Sequence, residues 1–298
     1  MIKELKKYFR KIRDFLRFHL ISDERYLKYQ YKKRMGKTLD LEHPTTLNEK
    51  IQWIKLYEKD PIRTLCSDKY KVREYIKEKI GKEFLIPLVF HTKDTEDIKP
   101  ENLPDYPFII KTNHDSSGGI IVWDKSKMDW EEIRVKLSDL LSKNYYHHGK
   151  EWQYKDIEPM IIVEKLLLDK NGKIPNDVKF YCFNGEPKYL FIVKDRHEPE
   201  TKIINLMDLK WELQNFRKNK SSTTLIYPEP PAALDKMIHI AKILSKDFSF
   251  LRVDLYEFND KIYFGEMTFT PENGFDTRIF EKWDLKFGQM LDLPIETN

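Results

Sequence analysis

The sequence predicts a protein of the α+β class, with antiparallel hairpins and amphipathic helices as its main elements. Two hairpins carry this prediction. Residues 250–258 and 262–269 alternate apolar and polar side chains around a polar tip, and residues 176–197 do the same around Asn184-Gly185, the favoured pair for a type I′ turn. Helices are indicated by apolar residues that recur at three- and four-residue steps.

Composition indicates a globular protein. With 298 residues the chain can form one large domain or two small ones, and 40% hydrophobic residues suffice for a sizeable core. The two cysteines form neither a disulfide framework nor a metal motif, which fits a reducing compartment. No apolar run is long enough to span a bilayer, and the N-terminus is too charged for a signal peptide. We therefore expect a cytoplasmic protein.

Residues 1–20 predict an amphipathic helix with one apolar and one basic face. Residues 1–37 hold 13 basic against 4 acidic residues, a net charge of +9, so the remaining residues carry 40 against 45, or −5. The helix could lie at the inner face of an anionic membrane, or it could pack its apolar stripe on the protein and leave the basic face solvated. Because the main body is acidic, a nucleic-acid partner is not indicated.

The middle of the chain alternates helical and strand patterns. Thr46 and Glu49 form a capping box that predicts a helix from Leu47 to Glu58, ended by Pro61, with either Ile51, Ile54 and Tyr57 or Trp53 and Leu56 on its buried side. A second helix is predicted over residues 67–83, with Lys69 in its first turn. Further helices are predicted at 128–143 and 232–247, and strands at 84–90, 106–113, 119–124, 159–169 and 204–216.

Two carboxylates, Asp254 and Glu266, interrupt the C-terminal hairpin. A three-residue loop, 259–261, would place them opposite each other, with Ile262 and Phe264 on the same face. The core face would hold Leu251, Val253, Leu255, Met267 and Phe269. Opposed like charges repel unless something positive lies between them, and oxygen ligands on rigid strands suit magnesium. The alternative is a solvated hairpin face that carries two unrelated acids.

The order of these signals resembles the ATP-grasp superfamily, particularly the D-alanine:D-alanine ligases. The shared features are SDK, IIK, a Ser/Gly loop, VEKLL, a basic strand pair and the hairpin RVD…GEMTFTP. TLNEKIQWIKLYEKDP, SDKYKVREYI and DVKFYCFNGEPKYL further resemble the TupA-like branch, which is associated with teichuronopeptide and other surface-polysaccharide synthesis. The resemblance covers roughly residues 40–290. It implies a two-lobed ATP-grasp fold with ATP between antiparallel sheets.

The resemblance also implies a domain plan and an ATP site. Residues 1–60 would form a helical N-terminal extension and 61–298 the catalytic domain, with lobes at approximately 83–163 and 164–298. The implied ATP contacts are Lys69 and Lys111 on the phosphates, the closing loop Ser116, Ser117, Gly118 and Gly119, Glu164 on the adenine amino group, the backbone of Lys165 and Leu167 on the ring edge, Asp177 on the ribose, and the strand residue Lys179.

Metal-binding and catalytic roles follow from the same resemblance. Asp254 and Glu266 would hold magnesium, with Thr268 at a third position that is commonly asparagine, which leaves open whether one or two ions bind. Arg252 would face the transferred phosphoryl group. Lys194 and Arg196 are candidates for steering the acceptor carboxylate, and the turn Pro271–Gly274 with Arg278 could line the same end.

The implied activity is that of a carboxylate–amine ligase which uses ATP and forms an acyl phosphate. Its substrates would be a carboxylate-bearing sugar or glycan precursor and an amine or amino acid, in capsule or teichuronopeptide synthesis. One alternative is an ATP-dependent sugar kinase with Asp195 or Glu272 as its base. Another is a nucleotide-binding, glycosyltransferase-associated protein without its own turnover.

Overall fold

The computed structural model describes residues 20–116, 118–169, 171–194, 203–216 and 229–294. Its helices are α1 (Asp23–Met35), α2 (Leu47–Tyr57), α3 (Pro61–Ser67), α4 (Val72–Lys79), α5 (Trp130–Leu141), α6 (Tyr146–Gly149), α7 (Leu234–Ser245) and α8 (Glu281–Gln289). Its strands are β1 (Leu88–Thr92), β2 (Phe108–Thr112), β3 (Ile120–Val122), β4 (Ile161–Lys165), β5 (Asp177–Phe183), β6 (Glu186–Lys194), β7 (Ile203–Asp208), β8 (Leu213–Gln214), β9 (Phe250–Phe258) and β10 (Lys261–Thr268). The helix predicted over residues 1–20 lies outside the described residues except for Leu20.

Two antiparallel sheets form the framework, which confirms the predicted α+β class. The smaller sheet has the order β1-β4-β2-β3, and the larger has the order β10-β9-β5-β6-β7-β8. A parallel bridge between Leu85, just before β1, and Phe264 on β10 links the two sheets. The predicted Asn184-Gly185 turn is present, with both residues at positive φ (50° and 80°) as a type I′ turn requires.

Helices cover the sheets through apolar faces. Helix α7 packs on the larger sheet, and its apolar residues form one core cluster with the buried residues of β9 and β10. Helices α2 and α8 bury a second, aromatic cluster against the same sheet, while α5 covers the smaller sheet. Helix α2, which belongs to the predicted extension at 1–60, packs on α8 of the predicted catalytic domain at 61–298. The division of the chain into these two parts remains a prediction.

The C-terminal hairpin reaches the predicted acid pairing by a different route. Its turn has two residues, Asn259 and Asp260, both at positive φ (48° and 58°), rather than the three predicted. Leu255 therefore faces Phe264, and Ile262 and Phe264 lie in the apolar core instead of on the acid face. A β-bulge between Phe264 and Glu266 then shifts the register by one residue, so that Glu266 pairs with Asp254.

The helix predicted from Leu47 to Glu58 runs from Leu47 to Tyr57 and ends before Pro61, which is the first residue of α3 with Asp60 as its cap. Two further expectations are wrong in detail. Lys69 lies in the turn between α3 and α4, where Asp68 accepts hydrogen bonds from the backbone N–H groups of Tyr70 and Lys71, rather than in a helical first turn. Tyr57 is 52% exposed. Its predicted partners Ile51 and Ile54 are buried.

None of the helices within the described ranges combines the length and the apolar composition needed to cross a membrane.

Candidate active site

A polar cavity of about 480 Å³ lies between the two sheets. It brings together most of the predicted site residues from both halves of the chain. The predicted residues on its wall are Lys69, Lys111, Ser116, Gly118, Gly119, Glu164, Arg252, Glu266 and Thr268. Lysines from the first half of the sequence therefore face the same space as the acidic hairpin.

Arg252 bridges the two hairpin acids. Its Nε and Nη2 donate to the Asp254 carboxylate at 2.7 and 2.9 Å, and Nη2 also donates to Glu266 Oε1. Burial raises the pKa of Asp254, while Arg252 and Lys179 act in the opposite direction. Burial opposes the charge of Arg252, yet the Asp254 and Glu266 carboxylates raise its pKa above the ordinary value. The guanidinium thus supplies the positive charge that opposed carboxylates require.

Two lysines line the cavity, Lys111 from β2 of the smaller sheet and Lys69 from the turn before α4. Lys69 Nζ donates to the Asp115 carbonyl oxygen, and Lys111 Nζ donates to Glu164 Oε2 at 2.8 Å. Burial lowers the pKa of Lys69, and Glu266 is the strongest charge that opposes this shift. Lys69 therefore lies within electrostatic range of the hairpin.

Glu164 is held by two cations. Its Oε1 accepts from Arg73 Nη1 at 3.1 Å and its Oε2 from Lys111, while the second amino group of Arg73 donates to the Ile86 carbonyl. The predicted contact between Glu164 and an adenine amino group remains a prediction. The arrangement fixes the Glu164 carboxylate at the cavity wall.

The loop after β2 contains two glycines at positive φ, and its predicted contact with phosphate remains a prediction. Gly118 and Gly119 have φ of 86° and 87°, a region that favours glycine. A Cβ on Gly119 would lie 2.8 Å from the Ile110 carbonyl oxygen, so this position also requires the absence of a side chain. Ser116 Oγ hydrogen-bonds to the Tyr145 hydroxyl, which links the loop to the far wall of the cavity.

Other predicted residues do not reach the cavity wall. Asp177 and Lys179 lie on β5, next to β9 in the same sheet, where Lys179 Nζ contacts Asp254 and lies 3.5 Å from Asp177 Oδ1. Asp254, which is 1% exposed, is absent from the wall, as are Lys165, Leu167 and Lys194. Ser117 and Arg196 lie outside the described residues.

A buried polar cluster at one end of the cavity joins Asn273, which lies in the predicted lining turn, to three residues that sequence reasoning missed: Lys55, Glu151 and Thr270. Glu151, Thr270 and Asn273 line the wall there, and Glu151 accepts hydrogen bonds from the Thr270 hydroxyl and from Asn273 Nδ2 at 3.2 Å. Lys55, only 3% exposed, donates to the Asn273 carbonyl at 3.0 Å. Lys55 follows Ile51 by four residues, so a cation on the apolar face of α2 was the signal available in the sequence.

The turn Pro271–Gly274 departs from ordinary backbone geometry. Glu272 and Asn273 have φ of 50° and 59°, although neither is glycine. Such conformations cost about 1–3 kcal/mol each and persist where the surroundings impose them, often at functional sites. Arg278 Nη2 holds Glu272 at 2.8 Å, and Glu151 and Lys55 hold Asn273. The predicted lining role of this turn agrees with its position on the cavity wall.

The hairpin offers oxygen ligands of the type that magnesium takes, but Glu266 and Thr268 line the cavity while both oxygens of the buried Asp254 accept from Arg252 and Lys179. Asp254 and Glu266 offer hard oxygen ligands on register-paired strands, and the Thr268 hydroxyl lies 3.0 Å from Glu266 Oε1. Arg252 shows that these acids already accept one cation between them. Across the described ranges no group of three or more Asp, Glu, His or Cys residues could hold a metal, so magnesium here would rely on two carboxylates, Thr268 and substrate oxygens.

Two antiparallel sheets that enclose a cavity with lysines on one side and a paired-acid hairpin on the other define the ATP-grasp class of proteins. The chain matches the family model described as TupA-like ATPgrasp over residues 49–292, and it belongs to that family. The resemblance inferred from the sequence is therefore confirmed.

Similar structures include two D-alanine–D-alanine ligases. The Helicobacter pylori enzyme is 17% identical, with 84% of this chain and 70% of that chain covered and a TM-score of 0.45. The Bacillus anthracis enzyme complexed with ATP is 16% identical, with 68% and 55% covered and a TM-score of 0.42. Endoglucanase 1 from Humicola insolens is 27% identical over 84 residues, which is 28% of this chain and 20% of that protein. The chain thus spans about half of the Bacillus anthracis structure and a fifth of the endoglucanase.

Lys55 should make the free energy of unfolding increase with pH. Burial lowers its pKa to about 7, whereas an unfolded lysine titrates at about 10.4. Between these values the unfolded chain binds more protons, so rising pH favours the folded state by at most about 1.4 kcal/mol per pH unit. We expect the free energy of unfolding of the wild type, minus that of Lys55→Met, to rise from about pH 7 to about pH 10 in urea titrations.

Lys33→Met removes an exposed lysine and serves as the control for that titration. Its free energy of unfolding should run parallel to the wild-type curve. Parallel curves for Lys55→Met as well would contradict the buried, neutralised state of Lys55.

Proposed function

We propose that the protein is an ATP-dependent carboxylate–amine ligase that works through an acyl phosphate. One observation carries the proposal: Lys69 and Lys111 from the first half of the chain line the same cavity as Arg252 and Glu266 from the C-terminal hairpin. Burying charged groups costs several kcal/mol per ion unless they are paired. A cluster of this kind favours a protein that neutralises a highly charged substrate over a scaffold without turnover.

Phosphoryl transfer requires mainly alignment and charge neutralisation. In this proposal Lys69 and Lys111 bind the triphosphate, and the backbone N–H groups around Gly118 and Gly119 contact its oxygens. Asp254, Glu266 and Thr268 hold magnesium, which when bound withdraws charge from the phosphate oxygens. Arg252, at the cavity wall, stabilises charge on the transferred phosphoryl group.

The two chemical steps balance without any further reactant. An oxygen of the acceptor carboxylate attacks the γ-phosphorus, the bond to the bridging oxygen of ADP breaks, and an acyl phosphate forms. The amine nitrogen then attacks the acyl carbon, the bond to the phosphate oxygen breaks, and phosphate and one proton are released. The products are an amide, ADP and phosphate.

The proposed substrates follow from the TupA-like family. We propose that the carboxylate belongs to a uronic acid or another glycan precursor, that the amine is an amino acid or related amine, and that the amide is part of capsule or teichuronopeptide synthesis. We also propose that the protein works in the cytoplasm, with its basic residues 1–20 at the inner face of the membrane. Equal recovery with anionic and neutral vesicles on sedimentation would count against the membrane contact.

A hydroxylamine trap should distinguish the ligase from a sugar kinase. Hydroxylamine is an amine that converts an acyl phosphate into a stable hydroxamate, whereas it leaves a sugar phosphate ester unchanged. With ATP, magnesium and a panel of uronic acids, we expect hydroxamate to form in step with ADP. The measurement is hydroxamate colour against ADP release.

Omission of hydroxylamine is the control for this assay. A stable phosphorylated sugar formed equally well without any amine would support the kinase, for which Glu272 on the cavity wall is the described base candidate. No magnesium-dependent ATP binding in calorimetry would support the scaffold instead.

Glu266→Gln should keep the fold but lower the rate of ADP release by on the order of a hundredfold or more, because it removes metal-held charge stabilisation. The far-UV spectrum and the urea midpoint should stay close to the wild type. Glu186→Gln alters an exposed ion pair between Glu186 of β6 and Lys242 of α7, is the matched control and should keep full activity. Wild-type turnover in Glu266→Gln would refute the assigned role.

A further inference from the structure

Helix α1 contributes a cation to the cavity. Leu27 and Tyr31 are buried on its inward face, and Arg34 follows Tyr31 by three residues on that same face. Arg34 lines the cavity, unlike its neighbours Lys32 and Lys33. The family match begins at residue 49, so this cation comes from a part of the chain outside the match.

The ring of Phe275 holds Arg34 in place. The guanidinium carbon lies 4.7 Å from the ring centroid, and Lys55 Nζ lies 4.9 Å from the same centroid. Tyr31 packs against the ring at 6.2 Å. Two cations therefore share one aromatic ring, and the charge of Arg34 adds to burial in lowering the pKa of Lys55. An anion beside Arg34 would relieve this repulsion.

The other charges at this end of the cavity are compensated. Lys55 lies near Glu151 and donates to Asn273, and Arg278 holds both Glu272 and Asp276. Arg34, in contrast, makes no ion pair with any carboxylate in the described part of the chain. Its guanidinium lies over the ring of Phe275. With Arg34 included, the charged groups named here sum to zero, so the observation that points to an incoming anion is the position of Arg34 on the cavity wall without a carboxylate partner in the described residues.

Helix α1 is firmly attached to the cavity wall. Lys150, which is 1% exposed, pairs with Asp23 at 2.8 Å, and the Tyr146 hydroxyl also donates to Asp23. The Tyr26 hydroxyl donates to the backbone carbonyl of His148 at 3.4 Å, and His148 lines the cavity. These contacts fix α1 against the segment around α6, so Arg34 is presented from a rigid element rather than from a loose terminus.

We propose that Arg34 binds an anionic group of a substrate, a carboxylate or a phosphate, at a point remote from the reacting carboxylate. The proposal rests on the proposed function, because it takes the cavity to be the substrate site. A guanidinium presents a planar fork that suits both groups in a bidentate manner. The group could be the α-carboxylate of an amino-acid substrate or the phosphate of a phosphorylated sugar acid.

The test is calorimetric titration of the full-length protein, which needs no turnover. The probes are a panel of α-amino acids with their α-carboxamides, and glucuronic acid 1-phosphate with methyl glucuronide. We expect Arg34→Gln to weaken binding of one anionic probe by about tenfold to a hundredfold, as for the loss of a charge-assisted hydrogen-bonded contact. The counterpart that lacks this carboxylate or phosphate, and ATP, should bind as in the wild type. The affected probe identifies the source of the anion.

Two variants on α1 sharpen the result. Lys33 is exposed, as Arg34 is, but does not line the cavity, so Lys33→Gln should leave every dissociation constant unchanged. Arg34→Lys keeps the charge but loses the fork and should give an intermediate loss. The proposal is overturned if the wild type binds no anionic probe more tightly than the counterpart that lacks its carboxylate or phosphate, or if Arg34→Gln binds them as the wild type does. Arg34-dependent binding without any hydroxamate would refute the ligase and keep the anion subsite.

Discussion

The bridge from Arg252 to Asp254 and Glu266 is the interaction on which the rest of the site depends. Two carboxylates on neighbouring strands repel, and the hairpin keeps them opposite each other because a guanidinium lies between them. Lys179, on the neighbouring strand β5, also donates a hydrogen bond to Asp254. The acids are thereby held in one orientation before any substrate arrives, which is the preorganisation that charge stabilisation in an active site requires.

The rest of the cavity is assembled from distant segments around that hairpin. The smaller sheet contributes Lys111 and Glu164, and the turn before α4 contributes Lys69. The opposite end is formed by the turn Pro271–Gly274 and by Glu151, with Lys55 of α2 beneath them. The ion pair between Asp23 and Lys150 attaches α1 to this end, so that α1 contributes to the cavity wall through Arg34.

Local sequence signals predicted the elements well, and they predicted part of the site. The capping box of α2, the Asn184-Gly185 turn and the opposition of Asp254 to Glu266 each depend on residues close in sequence. The route to that opposition was wrong, because periodicity alone cannot locate a bulge.

The missed residues share a different physical reason. Arg34, Glu151 and Thr270 meet only through tertiary packing, and no spacing within any one segment indicates their proximity. Lys55 carried a weak signal, since a lysine on the apolar face of a helix is usually solvated through its long stem. The exposure of Tyr57 likewise depends on which neighbours cover the end of α2, and this is decided by the fold of the whole chain.

The bulge in the hairpin has a consequence for how this family can vary. A two-residue turn with a bulge at Gly265 and a three-residue turn without one lead to the same opposition of Asp254 and Glu266, because each shifts the pairing by one residue. A residue inserted at the tip and taken up by the turn would leave the two strands paired as they are, and the loss of Gly265 would leave Glu266 directly after Phe264 and still opposite Asp254. A one-residue change within β9 between Asp254 and the turn would instead move Asp254 to the face that holds Phe264. The acid pair therefore tolerates a change of length at the tip or at the bulge, but not within that part of β9.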